Sequence, residues 1–115
     1  MAGPMEIHER LTGDIALVEL AGRVTVNDQP GVLKDAVAGA LDRGARHVLL
    51  DLSGVRYIDS TRLGELIAAH ISVTRVGGRL KLVATPERIV ELLSLAGLSG
   101  IFERYATAEE ARQSL

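Results

Sequence analysis

The fold is decided by one stretch of the chain, YIDSTRLGE at residues 57–65. The segment before it, residues 47–52, is almost continuously apolar, which is typical of a central parallel strand covered on both faces. The stretch itself opens a pattern of helical spacing in which Leu63 faces inward. Two hydroxyl side chains, Ser60 and Thr61, are therefore predicted at the point where a buried strand passes into a helix.

A helix N-terminus at this position favours negative charge, because its first backbone N–H groups are unpaired and the positive end of the helix dipole lies there. The anion could be a bound ligand or a phosphoryl group on Ser60 itself. A simpler alternative is that Ser60 or Thr61 only caps the helix. Asp59 could shape the turn by accepting backbone N–H bonds, or it could orient the Ser60 hydroxyl. Gly64 is expected to allow close packing of the helix on the sheet.

The rest of the chain alternates strands and helices, and a turn or stop signal separates each element from the next. The order predicts an α/β fold, in which a mixed sheet has a parallel centre and an antiparallel edge strand and is flanked by about four helices. The first expected elements are a hairpin with its turn at residues 12–14, whose second strand runs from Ile15 to Leu20 and is broken at Gly22, and a helix from Pro30 to Arg43. A strand at 47–52 and a helix from Ser60 to Gly77 follow, and this helix is expected to turn Leu63, Leu66, Ile67 and Ile71 inward. The remaining elements are a strand at 80–83, a helix between Pro86 and Gly97, a short strand at 102–105 and a terminal helix capped by Thr107.

Length and composition restrict the class of protein. At 115 residues the chain is expected to form a single domain over residues 5–115, after a loose, disordered leader at residues 1–4. It contains no Cys, which excludes thiolate chemistry and disulfides and fits a cytoplasmic protein. Its apolar runs are shorter than the roughly 18 residues that span a bilayer, so membrane insertion is not expected.

Charge and motif content exclude further classes. A net charge of −2 with interspersed charges provides no basic face for nucleic acid, so protein partners are favoured instead. His8, His47 and His70 fall in separate predicted elements without the spacing of a catalytic triad or a metal site. Neither common glycine motif for nucleotides is present. The sequence therefore predicts no catalysis, no metal and no cofactor.

A longer motif that includes the opening stretch carries a family resemblance. It reads DLSGVRYIDSTRLG at residues 51–64, and the segments at residues 77–80 and 95–98 fit the same pattern. On these residues the chain resembles the STAS family, the sulfate-transporter and anti-sigma-factor-antagonist domain, over residues 5–112. The resemblance is to the anti-sigma factor antagonist type and implies a STAS-like mixed sheet.

The resemblance also implies a function. In antagonists of this type the serine directly after the Asp is phosphorylated, which places the phosphoacceptor at Ser60, with Thr61 as the alternative. The implied partners are an anti-sigma factor with serine kinase activity, which the unphosphorylated protein binds so that a sigma factor is released, and a phosphatase that resets the cycle. A monomer or weak homodimer is expected. The expected contact residues are Thr25, Asn27, Asp59, Ser60, Thr61, Arg62 and Glu65, of which Arg62 and Glu65 are expected to be solvated and, from their position beside Ser60, to lie at the rim.

Two positions depart from the family pattern. Arg62 stands where the motif usually has Gly, and Thr25 stands where the loop after the second strand usually has an acidic residue. The departures keep a second hypothesis open, in which the same fold is a non-catalytic scaffold or ligand-sensing domain without phosphorylation of Ser60. A phosphomimetic Ser60→Asp separates the two, because it should abolish partner capture only under the first hypothesis.

Overall fold

Strands and helices alternate along the part of the chain that the structure describes. The computed structural model describes residues 6–24 and 31–115. Its elements are β1 (Glu6–Thr12), β2 (Ile15–Val24), α1 (Val32–Asp42), β3 (His47–Ile58), α2 (Ser60–Arg75), β4 (Leu80–Val83), α3 (Glu87–Leu95), β5 (Glu103–Tyr105) and α4 (Ala108–Gln113).

The strands form one mixed sheet in the order β1-β2-β3-β4-β5. β1 and β2 are antiparallel and are joined by a turn at Gly13, whose φ of 62° suits glycine. β2, β3, β4 and β5 are mutually parallel neighbours. The predicted α/β fold, with a parallel centre and an antiparallel edge strand, is confirmed. Because β2, β3 and β4 run in the same direction, their carboxyl ends lie at one edge of the sheet, and α2 begins at that edge.

The sheet is covered unequally on its two faces. α1, α2 and α3 contribute to the larger core on one face, whereas α4 packs on the other face, where Ala111 meets Leu49 and Val83. The larger core includes Val18, Val48, Leu50 and Leu82 from the strands and Leu33, Val37, Leu66, Val73, Ile89 and Leu93 from the helices. The near-continuous apolar run of β3 is thus explained by burial on both faces.

β2 and β3 are longer than predicted, and both extend toward the junction between β3 and α2. Gly22 was expected to end β2, but the strand continues to Val24 with shifts of register at Glu19/Ala21 and Gly22/Arg23. Such irregularities let a strand absorb a glycine with positive φ without ending. Gly54 allows the added pairing because it has no side chain. A Cβ at this position would clash with the Cβ of Ala21, at a distance of 2.9 Å. Val24 consequently pairs with Ile58 at the carboxyl end of β3.

The inward face of α2 differs from the prediction at one residue. Leu63 and Leu66 are buried as expected, but Ile71 is 45% exposed. Ile71 lies about 140° around the helix from Leu66, because successive residues are separated by about 100°. Ala69 and Val73 occupy the buried face in its place.

α2 ends close to Gly77, where the sequence predicted that glycine would end the helix. α2 ends at Arg75, and Gly77 has a φ of 78°, a conformation that favours glycine. A Cβ on Gly78 would overlap the carbonyl oxygen of Arg46, so only glycine fits where this turn meets the start of β3. The Arg46 Nε donates a hydrogen bond to the Gly77 carbonyl at 3.3 Å.

A buried lysine fixes α4 to the sheet. Lys81 is fully buried although it lies in a strand whose other residues are apolar. Its Nζ donates to the hydroxyl of Ser114, lies 3.3 Å from the hydroxyl of Tyr105 and 3.6 Å from the carboxylate of Glu103. A buried ammonium is tolerated when it is paired and hydrogen-bonded in this way. The sequence of β4 gave no indication of this contact.

Candidate functional site

The site is the junction between β3 and α2. Asp59 is the N-cap of α2, with φ −93° and ψ 173°, and its Oδ1 accepts a hydrogen bond from the backbone N–H of Arg62 at 2.8 Å. The expectation that Ser60 or Thr61 caps the helix is therefore wrong, and the interpretation of Asp59 as the residue that shapes the turn is confirmed. An Asp satisfies this role well because its carboxylate also complements the helix dipole.

Ser60 and Thr61 are exposed residues in the first turn of α2. Since Asp59 supplies the cap, neither hydroxyl is required to hold the end of the helix. The Ser60 side chain lies at the positive end of the helix dipole and at the surface, where a kinase could reach it. A hydroxyl in this position suits reversible attachment of a phosphoryl group.

Arg62 lies beneath the surface of the site. Its side chain is fully buried, and its Nη1 forms an ion pair with Oε2 of Glu65, whose side chain is only 14% exposed. The other carboxylate oxygen of Glu65 accepts a hydrogen bond from the backbone N–H of Lys34 at 3.3 Å. The prediction that Arg62 and Glu65 are solvated is wrong. The pair instead links the first turn of α2 to the first turn of α1.

Sequence alone could not distinguish this arrangement from an ordinary surface ion pair. An Arg followed three residues later by a Glu on a helix is usually an exposed pair. The only signal was that Arg62 occupies a motif position that usually has Gly. That signal showed that this chain differs from the family at residue 62, but it did not show whether the Arg62 side chain is exposed or buried.

Gly64 lies on the exposed side of α2. A Cβ added to it would have no neighbour within 4 Å, so the predicted need for close packing between helix and sheet is wrong. Gly64 is also inside a helix of 16 residues, where glycine is unfavourable relative to alanine. Nothing among the contacts of the described chain accounts for a glycine at this position.

We expect Gly64→Ala to raise the free energy of unfolding by about 0.5–1 kcal/mol, because the new methyl group meets open space and the unfolded chain loses freedom. Urea denaturation followed by circular dichroism measures the change. Ala68→Gly on the same helix is the matched control and should lower stability by a similar amount. A loss of stability in Gly64→Ala would contradict the exposed placement of Gly64.

An apolar groove adjoins the junction. It lies between the junction and α3, encloses a volume of about 500 Å³ and is called the α3 groove below. Tyr57 and Leu95 line it with 43% and 87% of their surfaces exposed, and Asp59 and Ser60 form part of its wall.

Two predicted contact residues, Thr25 and Asn27, lie outside the described residues. The structure does place the end of β2 beside the junction, because Val24 pairs with Ile58, the residue before Asp59. The contact role of Thr25 and Asn27 stays a prediction.

Within residues 6–24 and 31–115, His, Asp and Glu side chains form no group that could hold a metal ion. Over the same ranges no helix combines the length and the apolar character needed to cross a membrane. The imidazole Nδ1 of His47, at the start of β3, accepts a hydrogen bond from the backbone N–H of Arg79, just before β4, at 3.1 Å.

Known proteins are similar to this chain in sequence and in fold. The family described as Mlab, STAS domain matches residues 7–103. The anti-sigma-B factor antagonist of Bacillus subtilis is 34% identical over 92 residues, which are 80% of this chain and 83% of that protein. The corresponding antagonist of Listeria monocytogenes is 32% identical over 99 residues, which are 86% of this chain and 85% of that protein.

Solved structures agree with the fold. The protein TM1081 of Thermotoga maritima, determined by NMR, superposes with a TM-score of 0.80 at 27% identity and covers 91% of this chain and 84% of that one. The anti-sigma factor antagonist SpoIIAA, in its unphosphorylated form, gives a TM-score of 0.75 at 17% identity over 95% of each chain. The latter identity supports the fold alone. With its sheet order, its β3–α2 junction and these matches, the chain belongs to the STAS domain family and within it to the anti-sigma factor antagonists.

Proposed function

We propose that this protein is a phospho-regulated antagonist that, when Ser60 is unphosphorylated, binds an anti-sigma factor with serine kinase activity and so releases a sigma factor. The anti-sigma factor phosphorylates Ser60, and a phosphatase restores the binding form. The protein acts as a non-catalytic binding module in the cytoplasm, as a monomer or weak homodimer. The single observation that carries the proposal is that Ser60 lies exposed at the N-terminus of α2 while Asp59 caps the helix.

The chemistry of the junction supports a switch that changes the surface and keeps the fold. A phosphoryl group on Ser60 would add about 1.5 to 2 negative charges and three strong acceptor oxygens. The helix dipole favours an anion at that end, so α2 should tolerate it. A partner surface that fits a neutral hydroxyl would instead meet a highly charged group that must be desolvated, and the complex should dissociate.

The proposed contact surface consists of Asp59, Ser60 and Thr61, which reach the surface at the junction, together with Thr25 and Asn27 as predicted contacts. Arg62 and Glu65 support this surface from below, because both side chains are mostly or wholly buried. In this chain the two are positioning residues for the first turn of α2.

In vitro phosphorylation tests the proposal. Each candidate anti-sigma factor of the source cell is incubated with ATP and the purified protein, and site-mapped mass spectrometry locates the phosphate. We expect one phosphate on the native protein, none on Ser60→Ala, and normal phosphorylation of Thr61→Ala. Phosphate that persists in Ser60→Ala and maps to Thr61 would move the acceptor by one residue. Absence of phosphorylation with every candidate would favour the scaffold or ligand-sensing role.

A further inference from the structure

We infer that the α3 groove receives an apolar side chain of the anti-sigma factor, and that Leu95 is the anchor for that side chain on this chain. The inference rests on the proposed function and extends its contact surface from the β3–α2 junction to α3. It adds a specificity-determining residue that the junction motif does not contain.

Leu95 is an apolar side chain that the core does not use. It is 87% exposed, the largest exposure among the large apolar residues of the described chain. It lies about 120° around α3 from the buried Ile89, so the helix geometry directs it away from the sheet. A single exposed leucine is ordinary, but Leu95 shares the groove with the half-exposed Tyr57 and the partly buried Leu92.

The groove is continuous with the proposed phosphorylation site. Asp59 and Ser60 line the same groove as Leu95, so a side chain that fills the groove also approaches the Ser60 hydroxyl. A phosphoryl group there would place charge beside the buried apolar contact, which is costly to desolvate. Binding of a partner side chain in the α3 groove therefore depends on whether Ser60 is phosphorylated.

The area of the groove favours a partner with further contacts over a second copy of this chain. Even if each of its partly exposed apolar side chains, Tyr57, Leu92 and Leu95, buried as much as a large aromatic residue, they would offer at most roughly 750 Å². A stable interface needs about 800 Å² from each partner. The occupant must therefore contact additional surface, and the protein proposed to bind at Ser60 does so. Polar side chains also line the groove, on Asp59, Ser60, Arg88 and Glu91.

Calorimetric titration with the anti-sigma factor that phosphorylates Ser60 tests the inference on the unphosphorylated protein. We expect Leu95→Asp to weaken binding by about tenfold or more, as for an anchor residue at an interface. Val76→Asp is the matched control, because Val76 is 50% exposed and lies at the other end of α2, about 24 Å from Ser60. It should leave the affinity within about threefold. Circular dichroism should show both variants folded, since neither side chain is buried.

The experiment distinguishes failure of the groove inference from failure of the proposed function. Equal affinities of Leu95→Asp and the native protein, with Ser60→Asp inactive, would overturn the groove inference and leave the proposed function intact. No binding by the native protein to any candidate would remove the proposed function and the inference with it. If Leu95→Asp instead converts a dimer into a monomer in sedimentation velocity without changing affinity for the anti-sigma factor, the groove is a contact between copies, and the inference is wrong.

Discussion

Ser60→Asp should reduce the affinity of this protein for its anti-sigma factor by at least about a hundredfold. The substitution places a permanent charge at an exposed position that the proposed complex covers. Like charges or a desolvated charge in an interface cost several kcal/mol, and every 1.4 kcal/mol corresponds to about a tenfold change in Kd. Calorimetric titration of the purified proteins measures the loss.

Stability provides the control for this variant. An acidic side chain in the first turn of a helix is favourable by about 0.3–1 kcal/mol, so Ser60→Asp should melt at or slightly above the native temperature. Ser60→Ala should bind as tightly as the unphosphorylated protein. Binding that survives in Ser60→Asp while the protein is folded would contradict the switch and support the scaffold hypothesis.

Glu65→Leu should lower the free energy of unfolding by about 3–5 kcal/mol, which corresponds to a fall in Tm on the order of 15 °C. The substitution removes the Glu65 carboxylate from the fully buried guanidinium of Arg62, and it removes the acceptor for the backbone N–H of Lys34. Removing one member of a buried pair is expensive because the remaining charge stays desolvated. Urea denaturation at neutral pH measures the change.

The chain contains a matched control for this effect. Arg112 and Glu109 have the same spacing on α4, but their side chains are 47% and 66% exposed at a separation of 4.0 Å. Glu109→Leu should therefore change stability by less than about 1 kcal/mol. In the double variant Arg62→Met with Glu65→Leu, most of the lost stability should return, because no charge is left buried. Equal effects of Glu65→Leu and Glu109→Leu would contradict the buried placement of Arg62.

The order of elements could be predicted because each boundary is a local feature. The apolar run of β3, the helical spacing after Ser60 and the glycines at 77 and 78 depend on neighbours in sequence, and the structure places the elements accordingly. The strand lengths were underestimated because Gly22 was treated as a break and because the predicted third strand was limited to the apolar run at residues 47–52. In the sheet Gly22 and Gly54 lie in a region of irregular register that lets β2 and β3 continue.

The buried charges could not be predicted because they depend on contacts between distant segments. Lys81 meets Ser114 across 33 positions of sequence, and Glu65 meets the backbone of Lys34 across 31. A sequence pattern assigns charged residues to the surface, where they usually are. The junction itself was predicted as a strand passing into a helix with Ser60 exposed, although the capping role belongs to Asp59.

The central claim is that Ser60 is the regulated residue, and its modification state in the cell tests this most directly. Intact-mass and site-mapped mass spectrometry would be applied to the protein isolated from its native cell, with and without phosphatase treatment. We predict a phosphate on Ser60 that phosphatase removes and whose occupancy changes with growth or stress. A Ser60 that stays unmodified under all of these conditions would contradict the account.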